Sequence, residues 1–104
     1  MSLFSLFNFG NSEIKNALRK GAVVIDVRTA YEFDQGRVPG SINIPVDRIP
    51  VNIPRIKGMN RPVILCASYY EHSSTATKIL KESGLNEVYN GGKWESVLKI
   101  YNKL

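Results

Sequence analysis

Two short runs of apolar residues limit most strongly the folds open to this chain of 104 residues. Residues 22–25 are Ala-Val-Val-Ile, and residues 62–66 are Pro-Val-Ile-Leu-Cys. The runs are rich in aliphatic residues and show no alternation with polar ones, which is typical of a strand buried on both faces of a sheet. Both runs are therefore predicted to be strands of a parallel sheet.

Segments with the helical spacing of apolar residues alternate with these strands. Helices are predicted at about residues 12–20, 30–34, 73–83 and 93–103, further short strands at residues 41–44 and 87–90, and short helical turns and loop at residues 46–61. Because parallel strands are joined by crossover connections, this alternation predicts an α/β domain with a small, mostly parallel sheet flanked by helices. The length allows one such domain, over residues 1–104.

Polar residues that can cap a helix mark two of the predicted helix starts. Asn11 or Ser12 can cap the first helix, and Thr29 can cap the second, with Glu32 completing a capping box. The residues before the first helix, 1–11, are expected to form an N-terminal strand or arm docked on the core. They do not have the pattern of a signal peptide, and no apolar run approaches the roughly 20 residues of a membrane span, so no membrane partner is expected.

The chain has one cysteine, Cys66, and a formal net charge of +5. A single thiol cannot form an internal disulfide or a cysteine-cluster metal site, which favours a reducing compartment such as the cytoplasm. The mild excess of basic residues suits a small anionic substrate or an acidic partner, but it is weak support for nucleic-acid binding. We therefore expect neither a metal site nor a nucleic-acid partner.

Cys66 lies where an α/β sheet usually has its functional site. Ligands bind beyond the carboxyl ends of parallel strands, and Asp26 and Arg28 also follow a predicted strand. Residues 67–72 connect Cys66 to a helix that is predicted to begin near Ser73. The N–H groups of such a connection can form an anion-binding cradle, and the same field is expected to lower the pKa of the Cys66 thiol and make it nucleophilic.

Each of these residues also has a plainer structural interpretation. Cys66 can be a small buried residue that ends a strand, and Arg28 can pair with an acidic side chain or a carbonyl group. His72 can be a surface or capping residue. Tyr69 and Tyr70 can pack against the loop or form a recognition rim, and the sequence alone does not separate these interpretations.

Several pieces of sequence, in their order along the chain, resemble the rhodanese-like family. The pieces are Val-Ile-Asp-Val-Arg at residues 24–28, Gly-Arg-Val-Pro-Gly-Ser-Ile-Asn-Ile-Pro at residues 36–45, a strand that ends in Cys66, and Val-Tyr-Asn-Gly-Gly at residues 88–92. The resemblance extends over about residues 12–104, and its specificity lies in the combination of pieces. It implies a parallel sheet flanked by helices, with Cys66 as the residue that accepts sulfur.

The family resemblance implies a sulfurtransferase that moves sulfane sulfur through a persulfide. The Cys66 thiolate would attack the outer sulfur of thiosulfate or a similar small anionic donor, and a thiol, cyanide or a protein acceptor would then take that sulfur. Cys66 is thus the predicted catalytic residue, Asp26 and Arg28 support it, and no cofactor is implied. The predicted active-site loop comprises Ala67, Ser68, Tyr69, Tyr70, Glu71, His72 and Ser73.

The predicted loop departs from the family pattern in length and in charge. Typical single-domain members have Cys-x4-Arg, whereas this sequence has Cys-x5-His, from Cys66 to His72. A seven-residue loop resembles that of related cell-cycle phosphatase domains, which makes an arsenate reductase or phosphatase an alternative. That alternative is disfavoured, because the Arg that would clamp an oxyanion is absent and Glu71 would repel a dianion. The missing Arg also favours another alternative, a non-catalytic binding or regulatory module.

Overall fold

Strands and helices alternate along the chain, as the sequence predicts. The computed structural model describes residues 3–104, with side chains described from residue 10 onward. Within these residues the helices are α1 (Leu3–Arg19), α2 (Ala30–Gln35), α3 (Ile53–Gly58), α4 (Tyr70–Glu82) and α5 (Trp94–Asn102). The strands are β1 (Val23–Asp26), β2 (Ile42–Asn43), β3 (Val63–Ala67) and β4 (Val88–Lys93), and two 3₁₀ turns, Val46–Arg48 and Pro50–Asn52, precede α3.

The four strands form a parallel sheet in the order β2-β1-β3-β4. Strands β1 and β3 contain the two apolar runs, and they lie side by side in the interior of the sheet with every residue buried. Their register places Val23 beside Val63 and Asp26 beside Cys66. The predicted small parallel sheet flanked by helices is therefore confirmed, and Asp26 and Cys66 meet at its carboxyl edge.

Side chains from the two faces of the sheet enter separate hydrophobic clusters, because successive strand residues point to opposite sides. The cluster on the face covered by α4, the α4 face, includes Ile25, Leu65 and Leu80. The cluster on the other face, the α1–α5 face, includes Ile64 and Cys66 with Ile14, Ala17, Val24 and Val97. The side chain of Cys66 is thus part of the core beneath α1 and α5.

Helix α1 begins much earlier than predicted. The expected strand or arm over residues 1–11 is wrong for residues 3–11, which belong to α1, and residues 1–2 lie outside the described chain. Apolar residues at sequence positions 3, 6, 7, 14, 17 and 18 share one helical spacing, so the pattern continues through the polar pair that could have capped a shorter helix.

Neither α1 nor another helix of residues 3–104 is long and apolar enough to cross a membrane.

The predicted capping box at the start of α2 is confirmed. Thr29 Oγ1 accepts a hydrogen bond of 3.2 Å from the Glu32 N–H, and Glu32 Oε1 accepts one of 3.2 Å from the Thr29 N–H. These reciprocal bonds satisfy donors that the first turn of a helix leaves free. They also hold the Glu32 carboxylate in a defined position near the end of β1.

Gly91 lies at an irregularity in the pairing of β4 with β3, as an extra residue of a β-bulge. A Cβ atom at Gly91 would lie 2.7 Å from Val97 Cγ2 and 2.9 Å from both Ile64 Cγ2 and the Leu65 carbonyl oxygen. We expect Gly91→Ala to lower the free energy of unfolding by about 1–3 kcal/mol, the usual cost of overpacking a core. Urea-induced unfolding followed by circular dichroism measures this change.

Gly58→Ala is the matched control for this prediction. A Cβ atom at Gly58 would have no neighbour within 4 Å, and the residue ends α3. We expect this variant to be unchanged or more stable by about 0.5–1 kcal/mol. Equal free energies of unfolding for the two variants would show that the bulge accommodates a side chain, contrary to the prediction.

Candidate active site

An ion pair between Asp26 and Arg28 closes the carboxyl end of β1. Asp26 is fully buried, and its carboxylate accepts hydrogen bonds from Arg28 Nε (2.9 Å to Oδ1) and Nη2 (2.8 Å to Oδ2). The backbone N–H of Arg28 donates to the same carboxylate over 3.0 Å. Burial disfavours the charged guanidinium, but the hydrogen bond and charge of Asp26 outweigh it and raise the pKa of Arg28. The two residues therefore form an ionised pair in which each charge neutralises the other.

Arg28 also connects the end of β1 to α2 and α5. Its remaining N–H groups donate to the carbonyl oxygen of Glu32 over 3.2 Å and to that of Gly36. Its guanidinium carbon lies 4.4 Å from the centroid of the Trp94 ring, the arrangement of a cation–π contact. These contacts give the structural interpretation of Arg28 direct support.

Cys66 lies beside this ion pair but has no access to solvent. The residue is 0% exposed and belongs to the cluster on the α1–α5 face. Burial raises the pKa of the Cys66 thiol well above its ordinary value, the Asp26 carboxylate raises it further, and Arg28 offsets only part of this. The expected lowering of this pKa is therefore wrong for the described conformation, in which the thiol is protonated and covered.

The segment that follows Cys66 is shorter than the predicted loop. Strand β3 continues through Ala67 and α4 begins at Tyr70, so Ser68 and Tyr69 alone separate strand from helix. The predicted helix start near Ser73 is wrong by about one turn. Tyr69 is the extended residue before the helix, and its carbonyl oxygen already accepts a hydrogen bond of 3.2 Å from the His72 N–H. The structure thus shows no open seven-residue cradle of N–H groups in this conformation.

Two of the predicted loop residues are buried. Ala67 lies in the cluster on the α4 face. Ser73 is fully buried inside α4, and its hydroxyl donates to Asn90 Oδ1 over 2.7 Å. The Gly92 N–H donates to the same oxygen over 2.9 Å, so Asn90 joins α4 to β4. No sequence signal indicated this role of Asn90.

The remaining loop residues are accessible at the carboxyl edge of the sheet. Ser68 is half-buried, and its hydroxyl donates to Glu32 Oε2 over 3.0 Å. Tyr69 and Tyr70 are 63% and 60% exposed. Glu71 and His72 are exposed as well, in the first turn of α4. An aromatic and polar surface therefore lies at the carboxyl edge of the sheet.

A small cleft of about 170 Å³ lies beside this surface. Its lining consists of Val27, Arg28, Thr29, Glu32, Pro45, Val46, Asp47, Ser68, Tyr69 and His72. Four predicted site residues are brought together here, but Cys66 is not part of the lining. The carboxylates of Glu32 and Asp47 were missed as site residues. The capping box at Glu32 and the position of Asp47 just after a predicted strand were the available signals.

Comparison with known proteins identifies the family to which this fold belongs. The family model for the rhodanese-like domain matches residues 11–93. The chain belongs to the rhodanese-like domain family. This rhodanese-like chain is also 34% identical over 91 residues to an uncharacterized protein, YqhL, of Bacillus subtilis, in a match that covers 84% of this chain and 71% of that protein.

Solved structures agree with this assignment. A rhodanese with anions from E. coli is 30% identical to the rhodanese-like chain, with a TM-score of 0.66 over 73% of this chain and 91% of that one. A human single-domain sulfurtransferase, TSTD1, has a TM-score of 0.68 over 85% of this chain and 91% of that one, at 21% identity. The first likeness agrees with the resemblance found in the sequence, and the second shows the fold.

A larger cavity of the rhodanese-like chain lies away from Cys66, between α1 and α5. Its volume is about 540 Å³, and it is lined by Asn11, Ser12, Lys15, Ser96, Lys99, Ile100 and Lys103. The lining is polar and basic and contains no nucleophile of the predicted site. Within residues 3–104 we also find no group of three or more His, Cys, Asp and Glu residues that could hold a metal ion.

Removing the cation of the buried pair should destabilise the rhodanese-like chain strongly. Arg28→Met would leave the Asp26 carboxylate buried without a counter-charge, so we expect the free energy of unfolding to fall by about 3–5 kcal/mol. The double variant Asp26→Asn, Arg28→Met carries no buried charge and should recover part of that loss. Urea-induced unfolding of both variants measures the difference, and equal stabilities would contradict the buried pair.

The raised pKa of Cys66 predicts slow alkylation of the native thiol. We expect iodoacetamide to react at about pH 8 at least ~100-fold more slowly with the folded chain than with the chain unfolded in guanidinium chloride. A raised pKa keeps the thiolate fraction small, so the rate should continue to rise about tenfold per pH unit beyond pH 9. Mass spectrometry of alkylated Cys66 measures the rates. A plateau below about pH 8 would instead indicate a lowered pKa.

Proposed function

We propose that this rhodanese-like chain is a sulfurtransferase that carries sulfane sulfur as a persulfide on Cys66. One observation carries the proposal: the sole cysteine of the sequence lies at the carboxyl end of the interior strand β3, the edge where parallel α/β sheets bind ligands. Membership of the rhodanese-like family and the likeness to a solved rhodanese support this class of reaction.

The proposed reaction has two half-reactions through one covalent intermediate. The Cys66 thiol first loses its proton, and its sulfur attacks the outer sulfur of thiosulfate or another sulfane donor. A new S–S bond forms, the donor's S–S bond breaks, and sulfite leaves with the electron pair. A thiol, cyanide or a protein thiol then takes the terminal sulfur and restores Cys66. Because this sequence has no second cysteine, the acceptor belongs to another molecule.

Sulfur transfer needs a conformation in which Cys66 is uncovered. The thiol is packed in the core of the α1–α5 face with Ile14, Ala17 and Val97, so its exposure requires a displacement of this packing. After such a displacement, N–H groups of residues 67–72 would be needed to stabilise the thiolate and the persulfide. The described conformation is then the resting form, in which the protonated thiol is protected.

A non-catalytic binding or regulatory module is the second candidate. The complete burial of Cys66 and the exposure of Tyr69 and Tyr70 favour it, because exposed tyrosines are common in recognition surfaces. An arsenate reductase or phosphatase has less support, since residues 66–73 contain no Arg and the neighbouring cleft is lined by the carboxylates of Glu32 and Asp47.

Intact-mass measurement after incubation with sulfane donors separates these candidates. A sulfurtransferase should gain about 32 Da, the mass of one sulfur atom, and lose it again on addition of cyanide or a thiol. Thiosulfate and an alkyl persulfide should be tested in parallel, and Cys66→Ser should show no gain with either. A folded wild-type chain whose mass never changes with any donor would exclude sulfur transfer and leave the binding module.

A further inference from the structure

Trp94 lies at the boundary between solvent and the core that buries Cys66. The residue is half-buried, and its side chain packs against the cluster on the α1–α5 face, to which Cys66 belongs. It is the first residue of α5, directly after β4, so it lies at the carboxyl edge of the sheet. Two other half-buried residues of α5 pack against this cluster, Leu98 and Ile100, but they lie a turn or more further along the helix.

Two neighbours hold the Trp94 ring in this place. The guanidinium carbon of Arg28 lies 4.4 Å from the ring centroid. A Cβ atom at Gly36 would lie 3.2 Å from Trp94 Cη2, so the ring lies directly against the backbone of that glycine. Arg28 is itself fixed by Asp26, which the sheet register places beside Cys66. The ring, the ion pair and the thiol are therefore neighbours at one end of the sheet.

The register of β4 brings the start of α5 to the same place. Gly92, two residues before Trp94, lies beside Cys66 in the pairing of β3 with β4. Burial is the main cause of the raised pKa of the Cys66 thiol, and the carboxylate of Glu95, the residue after Trp94, is near enough to contribute to it. Since residues on both sides of Trp94 lie near Cys66, the half-buried ring is well placed to close the solvent side of the thiol.

Trp94 is also the part of this packing that can move with the least disturbance to the fold. Ile14, Ala17 and Val97 are buried within helices, where their displacement would shift α1 or α5 against the sheet. Trp94 instead lies at the first position of a helix whose N-cap residue, Lys93, makes no side-chain capping bond. The N–H groups of a first turn have no partners within the helix, so rotation of the ring or fraying of this turn breaks few hydrogen bonds.

We propose that Trp94 is a positioning residue for sulfur transfer: its ring closes the solvent side of Cys66, and its movement away from Arg28 admits the donor. The inference rests on the sulfur-transfer function proposed above and names the residue that controls access to its nucleophile. Because burial is the main cause of the raised pKa of the thiol, the movement that admits the donor also favours the thiolate.

Alkylation of Cys66 tests the closing role of the ring without any sulfur donor. Trp94→Ala removes the ring, and we expect iodoacetamide to react with the folded variant at least ~10-fold faster than with the wild-type chain, after correction for stability. The correction is needed because reaction through global unfolding rises about tenfold for every ~1.4 kcal/mol of lost stability, which urea-induced unfolding measures. Trp94→Phe keeps a smaller ring, is the variant more certain to fold, and should show a smaller rise.

Leu98→Ala is the matched control. Leu98 is half-buried in the same helix and packs against the same cluster one turn after Trp94, so this variant also removes packing from the core. It leaves the Trp94 ring and Arg28 in place. We expect its alkylation rate to rise by no more than its loss of stability accounts for.

The fluorescence of Trp94 gives a second measurement, because this residue is the sole tryptophan of the sequence. Acrylamide quenches an indole according to its exposure. A sulfur atom added to Cys66 enlarges a side chain in a closely packed core, so the ring should be displaced and the quenching constant should rise at least about 1.5-fold. Cyanide removes the sulfur and should restore the original value.

The outcomes separate this inference from the function on which it rests. Wild-type alkylation rates in folded Trp94→Ala and Trp94→Phe would overturn the closing role of the ring, even if Cys66 accepts sulfur. An equal corrected rise in Leu98→Ala would overturn the assignment to Trp94, and a quenching constant unchanged by sulfur loading would overturn the movement of the ring. If the Trp94 variants react faster but neither thiosulfate nor an alkyl persulfide adds sulfur to the wild-type chain, the proposed function fails while the closing role of the ring stands.

Discussion

The buried ion pair of Asp26 and Arg28 organises the carboxyl edge of the sheet. A carboxylate and a guanidinium taken out of water must satisfy each other and their remaining hydrogen-bonding groups, or the fold loses several kcal/mol. Arg28 meets this demand through Asp26, two carbonyl groups at α2 and the ring of Trp94. One short stretch after β1 thereby fixes how α2 and α5 approach the strand ends. This arrangement contributes to the surroundings of both the cleft and Cys66.

Burial, and after it the carboxylate of this ion pair, raises the pKa of the Cys66 thiol. The sheet register sets the thiol beside Asp26, and the core on the α1–α5 face removes it from water. Arg28 is the nearby cation, but its charge is already committed to Asp26, so it stabilises a thiolate only weakly. A nucleophilic thiolate at this position would require a conformational change that exposes Cys66, because the surroundings of the buried thiol raise its pKa.

Much of the fold was predictable, because local patterns and tertiary structure agree. The apolar runs of β1 and β3 and the capping box of Thr29 and Glu32 needed no knowledge of neighbours. The start of α4 was not predictable, since residues 73–75 offer several cap-forming side chains and the tyrosines before them give no cap signal. The face of the sheet taken by Cys66 was also hidden, because a run of apolar residues shows no alternation that distinguishes the faces.

The sequence predicts a site at this strand end, but it does not predict which charges the fold brings together there. The sequence identifies the strand end and the cysteine, yet the charges that matter there come from separate segments, α2 for Glu32 and the turn after β2 for Asp47. The net charge is a sum over the whole chain, so it does not show that these two carboxylates lie close together. Asp26 and Arg28 neutralise each other in a buried ion pair. Only the folded structure shows which other charged side chains stay unpaired near the strand end.

If Cys66 carries sulfur as proposed, its location in the core has a mechanical consequence. A persulfide would add one large atom to a cluster formed by Ile14, Ala17, Ile64 and Val97, and protein interiors are packed too closely to take such an addition without displacement. The loaded side chain would then have to push its neighbours apart. That displacement would make the sulfur-bearing form the more strained of the two. The packing of the core would thus help to expel the sulfur, so that the fold itself favours delivery over storage.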